Sequence, residues 1–156
     1  MASELESLYF NANTITLDFF NLICSERLGK GVAREVYRSA FDPSIVFKFE
    51  KDSGSFQNII EWETWQTVRF TAGMKNDYAQ YFAPCVAISP CGTILAQKAA
   101  RPIDYTELPE YLPSFFTDTK KDNFGIIDGK VVCIDYGNNL LMTQGLNKKK
   151  RKVDWF

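Results

Sequence analysis

The spacing of apolar and polar positions predicts short strands over much of the chain. From residue 25, two strand-like runs are joined by a glycine-containing loop, and a turn at 42–44 leads into a third run at 45–50. Residues 84–88 and 93–97 predict a further pair of strands with a tight turn between them. The simplest arrangement of the first three strands is an antiparallel meander.

Apolar positions at helical spacing predict one main helix between the third and fourth strands. This helix covers residue 55 to about residue 71, with Ser53 or Ser55 as candidate N-caps. Residues 2–10 and 16–24 contain shorter stretches of the same spacing, which predict a helical lead-in.

A hairpin is predicted near the end of the chain. Residues 124–127 and 130–134 have strand-like composition, and they flank the dipeptide Asp128-Gly129. This dipeptide is a strong signal for a two-residue hairpin turn. No internal repeat is visible in the sequence.

Length and composition predict a single domain that folds by itself. The chain has 156 residues, of which 46% are apolar and 15% aromatic. It contains no histidine, which excludes Ser-His-Asp and Cys-His catalysis and His-ligated zinc. Any general acid or base in this protein is therefore expected to be a carboxylate.

Cysteine usage and the N-terminal sequence predict a soluble cytoplasmic protein. The four cysteines form no CxxC pair and lie among apolar neighbours, which is typical of reduced core thiols. They are Cys24, Cys85, Cys91 and Cys133. The first ten residues are partly acidic, and no stretch of 18 apolar residues occurs, so no leader and no membrane association are expected.

Positive charge is concentrated in one short run, KKKRK at 148–152. The chain has 18 basic and 19 acidic residues, so the remainder is acidic, unlike a typical non-specific nucleic-acid binder. We expect a basic tail, residues 148–156, with a solvated and disordered end. Alternatively the tail docks an acidic protein, a nucleic acid or a phosphorylated ligand, with Trp155 and Phe156 as anchors.

The glycine-containing loop resembles a known nucleotide-binding motif. Residues 28–37, LGKGVAREVY, resemble the Gly-rich loop of protein kinases, with Arg34 in place of the third glycine. The resemblance implies that Gly29 and Gly31 let backbone amides approach phosphate oxygens without a Cβ in the way. Arg34 would then place a cation at the loop tip, where it contacts phosphate or blocks it. A common two-glycine hairpin turn is the alternative.

A lysine and a glutamate further along the chain extend this resemblance. Residues 46–48, Val-Phe-Lys, resemble the third kinase strand with its ATP-binding lysine, and an exposed Lys48 on a polar face is the alternative. Glu61 lies on the apolar stripe of the predicted helix, where a carboxylate needs a cation, whereas Glu63 is expected to face solvent. We therefore predict an ion pair between Lys48 and Glu61, like the one that holds the kinase lysine against the α and β phosphates.

Two later motifs complete the set. Residues 116–123, FTDTKKDN, resemble the kinase catalytic loop H-R-D-x-K-x-x-N, and Asp135-Tyr136-Gly137 resembles D-F-G. The resemblance implies that Asp118 orients or deprotonates the attacking hydroxyl and that Lys120 neutralises the γ-phosphate. It also implies that Asn123 and Asp135 hold Mg2+. Each motif alone is common in loops, but their joint occurrence in order favours the resemblance.

The implied fold is α+β: a protein-kinase-like N-lobe, with an antiparallel five-stranded sheet and one main helix, and a minimal, truncated second lobe carrying a catalytic-loop hairpin. We expect a single kinase-like domain at 1–147, with a helical lead-in (1–24), a nucleotide-binding lobe (25–99) and the minimal lobe (100–147). The implied hinge, with Gln97 and Ala99 contacting the nucleotide, is followed after only about 20 residues by Asp118. A protein with so short a second lobe would suit a compact viral genome, and it would then work in the host cytoplasm.

Three functions are compatible with these motifs. The first is a compact phosphotransferase that uses ATP and Mg2+ on a small molecule or a protein. The second is a pseudokinase-type binding protein that regulates or inhibits a partner. The third is an unrelated α+β interaction protein. A protein partner or self-association is expected to complete the small second lobe.

Overall fold

A computed structural model describes residues 20–50 and 54–156. The chain divides into two compact units, one formed by residues up to Asn58 together with Cys85–Ala99, the other by Ile59–Pro84 and Ala100–Phe156. The helix predicted at 2–10 and the candidate cap Ser53 lie outside the described residues. Within the described part, none of the helices combines the length and the apolar character needed to cross a bilayer.

The first unit contains a five-stranded sheet in which every neighbouring pair is antiparallel, in the order β1-β2-β3-β5-β4. Its strands are β1 (Cys24–Lys30), β2 (Arg34–Ser39), β3 (Ile45–Glu50), β4 (Cys85–Ile88) and β5 (Ile94–Lys98). This confirms the predicted antiparallel five-stranded sheet and all five of its strands. Residues 20–23, within the predicted segment 16–24, are helical.

Aromatic side chains on one face of this sheet form the core of the first unit. Phe20, Tyr37 and Phe49 contact one another edge to face, with ring centroids 5.1–5.8 Å apart. Successive residues of a strand point to opposite faces, so Lys48 and Glu50 lie on the face opposite Phe49. Both are buried, and therefore both faces of β3 are covered.

The main helix, α1 (Gln57–Val68), begins in the first unit and continues into the second. Its N-terminus is capped by the Glu50 carboxylate, which accepts hydrogen bonds from the N–H groups of Gln57 (2.7 Å) and Asn58 (3.1 Å) and from the Ser55 hydroxyl. A carboxylate suits this end because the first N–H groups of a helix have no intrahelical partner. The predicted cap at Ser55 is therefore wrong: this hydroxyl binds Glu50.

The second unit is built from short elements. Its strands form a three-stranded antiparallel sheet, β6-β8-β9, and a separate pair, β7-β10. They are β6 (Arg101–Pro102), β7 (Tyr111–Pro113), β8 (Phe124–Ile127), β9 (Lys130–Cys133) and β10 (Lys150–Lys152), with a short helix α2 (Leu141–Gln144). Single 3-10 turns lie at Arg69–Thr71, Ala79–Tyr81, Tyr105–Glu107 and Lys121–Asn123. Asp128 and Gly129 both have positive φ angles, 49° and 76°, which confirms the predicted hairpin turn.

The core of the second unit is also aromatic. Phe82 packs against Phe115, Phe116 and Tyr136, with ring centroids 5.0–5.8 Å apart. Phe116, the residue at the histidine position of the catalytic-loop motif, is 2% exposed. Burial of this ring fixes the backbone that leads into Asp118.

The basic tail pairs with the rest of the second unit, which corrects the expectation of a disordered end, while Lys148, Lys149, Lys150, Lys152 and Phe156 are exposed to solvent. β10 pairs with β7 through its backbone. The Trp155 ring packs edge-on against Phe124 at 5.0 Å, and its Nε1–H donates to the Pro109 carbonyl at 3.0 Å. Trp155 is thus an anchor, as the alternative predicted, but the groove that it fills belongs to this chain.

Three of the four cysteines are buried, as predicted, and one is not. Cys24, Cys85 and Cys133 are buried, but Cys91 is exposed in the turn between β4 and β5. Its Sγ lies 3.0 Å from the Thr93 hydroxyl oxygen.

Candidate active site

The loop that precedes β8 brings two of the predicted site residues together. The Asn123 side-chain amide donates a hydrogen bond of 3.2 Å to the backbone carbonyl of Asp118, which ties the two ends of the loop. Asn123 is only 9% exposed. Its Nδ2 is occupied by this bond, while its Oδ1 accepts no hydrogen bond from the described residues and is available as an oxygen ligand.

Asp135 is held beside the same asparagine by the backbone. The N–H groups of Ile134 and Asp135 both point to the Asn123 carbonyl, at 2.8 and 3.4 Å. This bifurcated contact fixes the end of β9 against the loop, and the Asp135 side chain is exposed there. The Cys133 thiol also donates to the Asp135 carbonyl at 3.2 Å, so the backbone of Asp135 is held on both sides.

Asp118 and Lys120 form a partly exposed ion pair. Lys120 Nζ lies 3.8 Å from Asp118 Oδ1, and the lysine and aspartate side chains are 57% and 32% exposed. Exposure to solvent keeps such a pair weak, and therefore both groups can exchange this contact for one with a ligand. The structure thus brings four predicted site residues together within the second unit, namely Asp118, Lys120, Asn123 and Asp135.

The oxygen atoms in this group fit a magnesium ion. Mg2+ prefers hard oxygen ligands and is usually bound by one or two carboxylates together with phosphates and water. The Asn123 amide oxygen and the Asp135 carboxylate are ligands of this kind, and the described residues contain no cluster of three or more His, Cys, Asp or Glu side chains. The donor set therefore suits an ion that arrives with a phosphate ligand.

Glu61 occupies a buried position on α1 and binds the backbone of the motif Asp135-Tyr136-Gly137. It is fully buried, and its Oε1 accepts a hydrogen bond from the Tyr136 N–H at 3.0 Å. The Tyr136 ring is also buried, and its hydroxyl donates to the Ala83 carbonyl at 2.7 Å. Helical spacing predicted Glu61 on the buried face and Glu63 in solvent, and both positions are confirmed. The contact to Tyr136 was not predicted.

The Gly-rich loop connects β1 and β2 in the first unit. The Gly31 N–H donates to the Arg34 carbonyl at 2.8 Å, and this bond closes a tight turn. A Cβ built on Gly29 would meet no described atom within 4 Å, and one on Gly31 would meet only the Arg34 carbonyl, at 3.6 Å. Neither glycine is required by local packing, and the space above Gly29 is open.

Arg34 does not lie at the loop tip, which corrects the sequence interpretation. It begins β2 opposite Glu50 of β3, is 8% exposed, and donates to the Asn58 side-chain oxygen at 3.2 Å. The physical reason is register: strand pairing already includes position 34, so its side chain lies on the same face of the sheet as Glu50 and binds Asn58. It neither contacts nor blocks phosphate from the tip.

Asn58 is a structural residue that the sequence did not reveal. Its amide nitrogen lies within 3.0–3.1 Å of the carbonyls of Lys48, Gly92 and Thr93. It therefore ties the start of α1 to β3 at the position of Lys48. An asparagine in the first turn of a helix gives no signal in the sequence that would distinguish this role from a capping role.

Lys48 is buried, so the alternative of an exposed lysine on a polar face is wrong. It is 4% exposed and pairs in register with Val36 of β2 and Leu95 of β5. A buried ammonium needs an anionic or hydrogen-bonding partner. Lys48 and Glu61 belong to different units, and the ion pair between them stays a prediction.

The residues of the implied hinge, Gln97 and Ala99, already have contacts within the first unit. Gln97 is 1% exposed on β5, between Val46 and Cys85 of the neighbouring strands. The Ala99 N–H donates to the Ser44 carbonyl at 2.8 Å. A nucleotide contact by Gln97 or Ala99 stays a prediction.

The C-terminal segment supports the loop at 116–121, a feature that no sequence pattern indicated. Arg151 donates to the Phe116 carbonyl (2.8 Å), the Thr119 hydroxyl to the Asp154 carbonyl (3.1 Å), and the Lys121 N–H to the Phe156 carbonyl (3.1 Å). The loop between Phe116 and Lys121 is therefore braced along its length by residues 151–156.

Comparison with known proteins gives little further information. No family model matches this chain, and no curated protein matches it. Among solved structures, the chain is similar to the streptomycin-ATP-APH(2")-IIa ternary complex, with 21% sequence identity and a TM-score of 0.39. The similarity covers 62% of this chain and 32% of that one, so the chain spans about a third of the length of the structure that it matches. Function must therefore be inferred from the residues of this chain.

Proposed function

We propose that this protein is a kinase-like phosphotransferase that uses ATP and Mg2+. The observation that carries the proposal is the hydrogen-bonded loop in the second unit, in which Asn123 holds Asp118 through its side chain and Asp135 through its backbone carbonyl. Two carboxylates, an amide oxygen and a lysine are thereby gathered at a partly exposed position. Phosphoryl transfer is catalysed mainly by positioning and charge stabilisation, and it needs no histidine.

Each residue has a role that its surroundings allow. Asp118, which is partly exposed, orients the attacking hydroxyl and accepts its proton. Lys120 exchanges its weak contact with Asp118 for the transferred phosphoryl group. The oxygens of Asn123 and Asp135 would hold the metal, which would supply positive charge to stabilise the phosphate groups.

The first unit is assigned to the nucleotide. Its five-stranded sheet has an open position above Gly29. Lys48 is buried on β3, on the face opposite Phe49. Gly29 and Gly31 let backbone amides of this loop approach phosphate oxygens, apart from the Gly31 N–H, which binds the Arg34 carbonyl. Lys48 binds the α and β phosphates with Glu61 as its partner. The acceptor is a small molecule or a protein, bound by the minimal second lobe with the help of a partner or a second copy.

A second candidate function is a pseudokinase-type binding protein that regulates a partner. One observation favours it: the Ala99 N–H in the implied hinge already donates to Ser44 and is therefore not available to an adenine ring. In this alternative the fold is kept while nucleotide binding is weak or lost.

Thermal unfolding with and without Mg-ATP tests the proposal. A ligand at 100 times its Kd adds roughly 2.7 kcal/mol of stability, which raises the Tm of a domain of this size by several degrees. We expect this rise in the wild type and in Asp122→Ala, an exposed carboxylate of the same loop, but not in Asp135→Ala. Absence of any rise in the wild type would contradict the proposal and favour the binding protein.

Phosphate transfer is then measured with γ-labelled ATP. Asp118→Asn should abolish the transfer of label to protein or water while it keeps the Mg-ATP-dependent rise in Tm. Turnover that survives Asp118→Asn would contradict the role assigned to Asp118.

A further inference from the structure

A basic cleft of about 160 Å³ lies in the second unit, apart from the loop described above. Lysines from two separate segments line it, Lys75 from one and Lys148, Lys149 and Lys150 from the other. None of the four has an ion-pair partner among the described residues. Four lysines that line one concave surface, with a single carboxylate among the lining residues, favour an anionic ligand.

The one carboxylate in the cleft does not neutralise these lysines. Asp77 accepts hydrogen bonds from the N–H groups of Gly73 and Gln80, both at 3.0 Å, so each of its oxygens is directed at the backbone. The cleft therefore keeps an excess of positive charge.

The lysines are presented by an ordered segment. The Ser114 N–H donates to the Lys149 carbonyl at 2.9 Å, and the Lys149 N–H donates to the Asn147 side chain at 3.0 Å. Lys150 Nζ lies 5.9 Å from the centre of the Tyr81 ring, a distance at which a cation is attracted to the ring face. The backbone of this segment therefore has little conformational entropy left to lose when a ligand binds.

We propose that this cleft binds a small, multiply phosphorylated ligand, independently of the phosphotransfer proposed above. Lysine ammonium groups bind phosphate as point charges. A water takes about 30 Å³ in the liquid, so a cleft of about 160 Å³ has room for roughly five waters, a volume that suits a small phosphorylated ligand. It is too small to enclose a polymer, and the exposed amide of Asn76 at its edge supplies a further donor.

Calorimetric titration of the full chain with tripolyphosphate, in magnesium-free buffer, tests the proposal. We expect Lys149→Gln and Lys75→Gln each to raise the Kd about fivefold, since one charge contact at 4 Å in water is worth about this factor. Lys152→Gln is the matched control, because Lys152 belongs to the same basic run but pairs with Glu110 at 3.5 Å and does not line the cleft. This control should leave the Kd unchanged.

The outcomes separate the cleft from other sources of binding. An equal rise in the Kd for tripolyphosphate in Lys149→Gln and Lys152→Gln would indicate diffuse attraction to the basic run and would overturn the proposal. An unchanged Kd in Lys75→Gln would do the same. Binding of a glutamate-rich peptide or a single-stranded oligonucleotide without binding of tripolyphosphate would also overturn it. Asp135→Ala should bind tripolyphosphate as the wild type does, whatever the outcome with Mg-ATP. Loss of tripolyphosphate binding in Asp135→Ala would indicate that this ligand binds at the proposed active site and not in the cleft, and would overturn the proposal.

Discussion

The side-chain amide of Asn123 binds the backbone carbonyl of Asp118 at 3.2 Å, and the backbone carbonyl of Asn123 receives the N–H of Asp135 at 3.4 Å. One buried residue therefore fixes the backbone of two aspartates that come from different parts of the chain. Under the proposed function this residue would have a structural and a chemical role, because its side-chain oxygen would bind the metal.

Replacement of Asn123 should affect both roles. Asn123→Ala removes a largely buried hydrogen bond and is expected to cost about 1–2 kcal/mol of unfolding free energy, and also to abolish the rise in Tm with Mg-ATP. The control is Asn138→Ala, which replaces an exposed asparagine directly after Gly137. It should change the unfolding free energy by no more than about 0.5 kcal/mol. Denaturant unfolding measures both changes in stability. An Asn123→Ala protein as stable as Asn138→Ala would contradict the structural role.

Two glutamates on α1 provide a matched comparison. Glu61→Ala leaves the buried Tyr136 N–H without its acceptor and is expected to destabilise the protein by about 1–3 kcal/mol. Glu63→Ala, on the exposed face two residues away, should have an effect within about 0.5 kcal/mol. Equal unfolding midpoints for the two variants would show that the Tyr136 contact contributes nothing.

Periodicity was sufficient for the five strands of the first unit and for α1, because these elements bury their side chains in the pattern that each element dictates. Alternation in β3 places Phe49 and Lys48 on opposite faces, and helical spacing places Glu61 inward and Glu63 outward. The hairpin at Asp128-Gly129 followed from the positive φ angles that this dipeptide tolerates. These features depend on local chemistry, which a single sequence contains.

The sequence did not predict the contacts that depend on tertiary structure. β10 has the sequence Lys-Arg-Lys, without apolar alternation, and it becomes a strand only because β7 offers a backbone partner. Likewise Arg34 matches a motif position, yet strand register directs it to Asn58. The cap of α1 came from Glu50, at the end of the preceding strand, rather than from a serine next to the helix.

The open space above Gly29 allows folding and ligand binding to be separated. Gly29 has no positive φ and no neighbour within 4 Å of a built Cβ, so Gly29→Ala should leave stability unchanged or raise it by up to about 1 kcal/mol. If phosphates approach the loop, the added methyl group weakens Mg-ATP binding. The control Gly129→Ala, at φ 76°, should do the opposite and lower stability without any effect on the nucleotide. Thermal scans with and without Mg-ATP distinguish the two patterns.

Cys91 should be the first thiol to react. Hydrogen bonds from the Thr93 hydroxyl and backbone, with a further one from Ser89, lower the pKa of the exposed Cys91 thiol. Burial instead raises the pKa of Cys24 to about 12. Because the thiolate is the reactive form, iodoacetamide at about pH 8 should label Cys91 well before Cys24, as followed by peptide mass spectrometry. Comparable rates for the two cysteines in the folded protein would contradict this ordering.

The ion pair between Arg101 and Glu107 predicts a pH effect confined to acid conditions. The Arg101 guanidinium donates two hydrogen bonds to the Glu107 carboxylate, at 2.6 and 3.0 Å, and the Asp104 N–H donates another. The guanidinium, followed by that N–H, lowers the pKa of Glu107 to about 2. Because the folded-state pKa lies below the unfolded value of about 4.3, the carboxylate contributes its full stability above that value and loses it as the pH falls toward 2.

The stability difference between the wild type and Glu107→Gln should therefore be constant above about pH 5 and shrink between about pH 4.5 and 2. Carboxyl NMR titration of Glu107 measures the midpoint directly. The pair is exposed, so added salt should raise that midpoint, and Arg101→Gln should return it toward the ordinary range. A midpoint near the ordinary value of about 4.3 in the wild type would mean that the pair does not persist in solution.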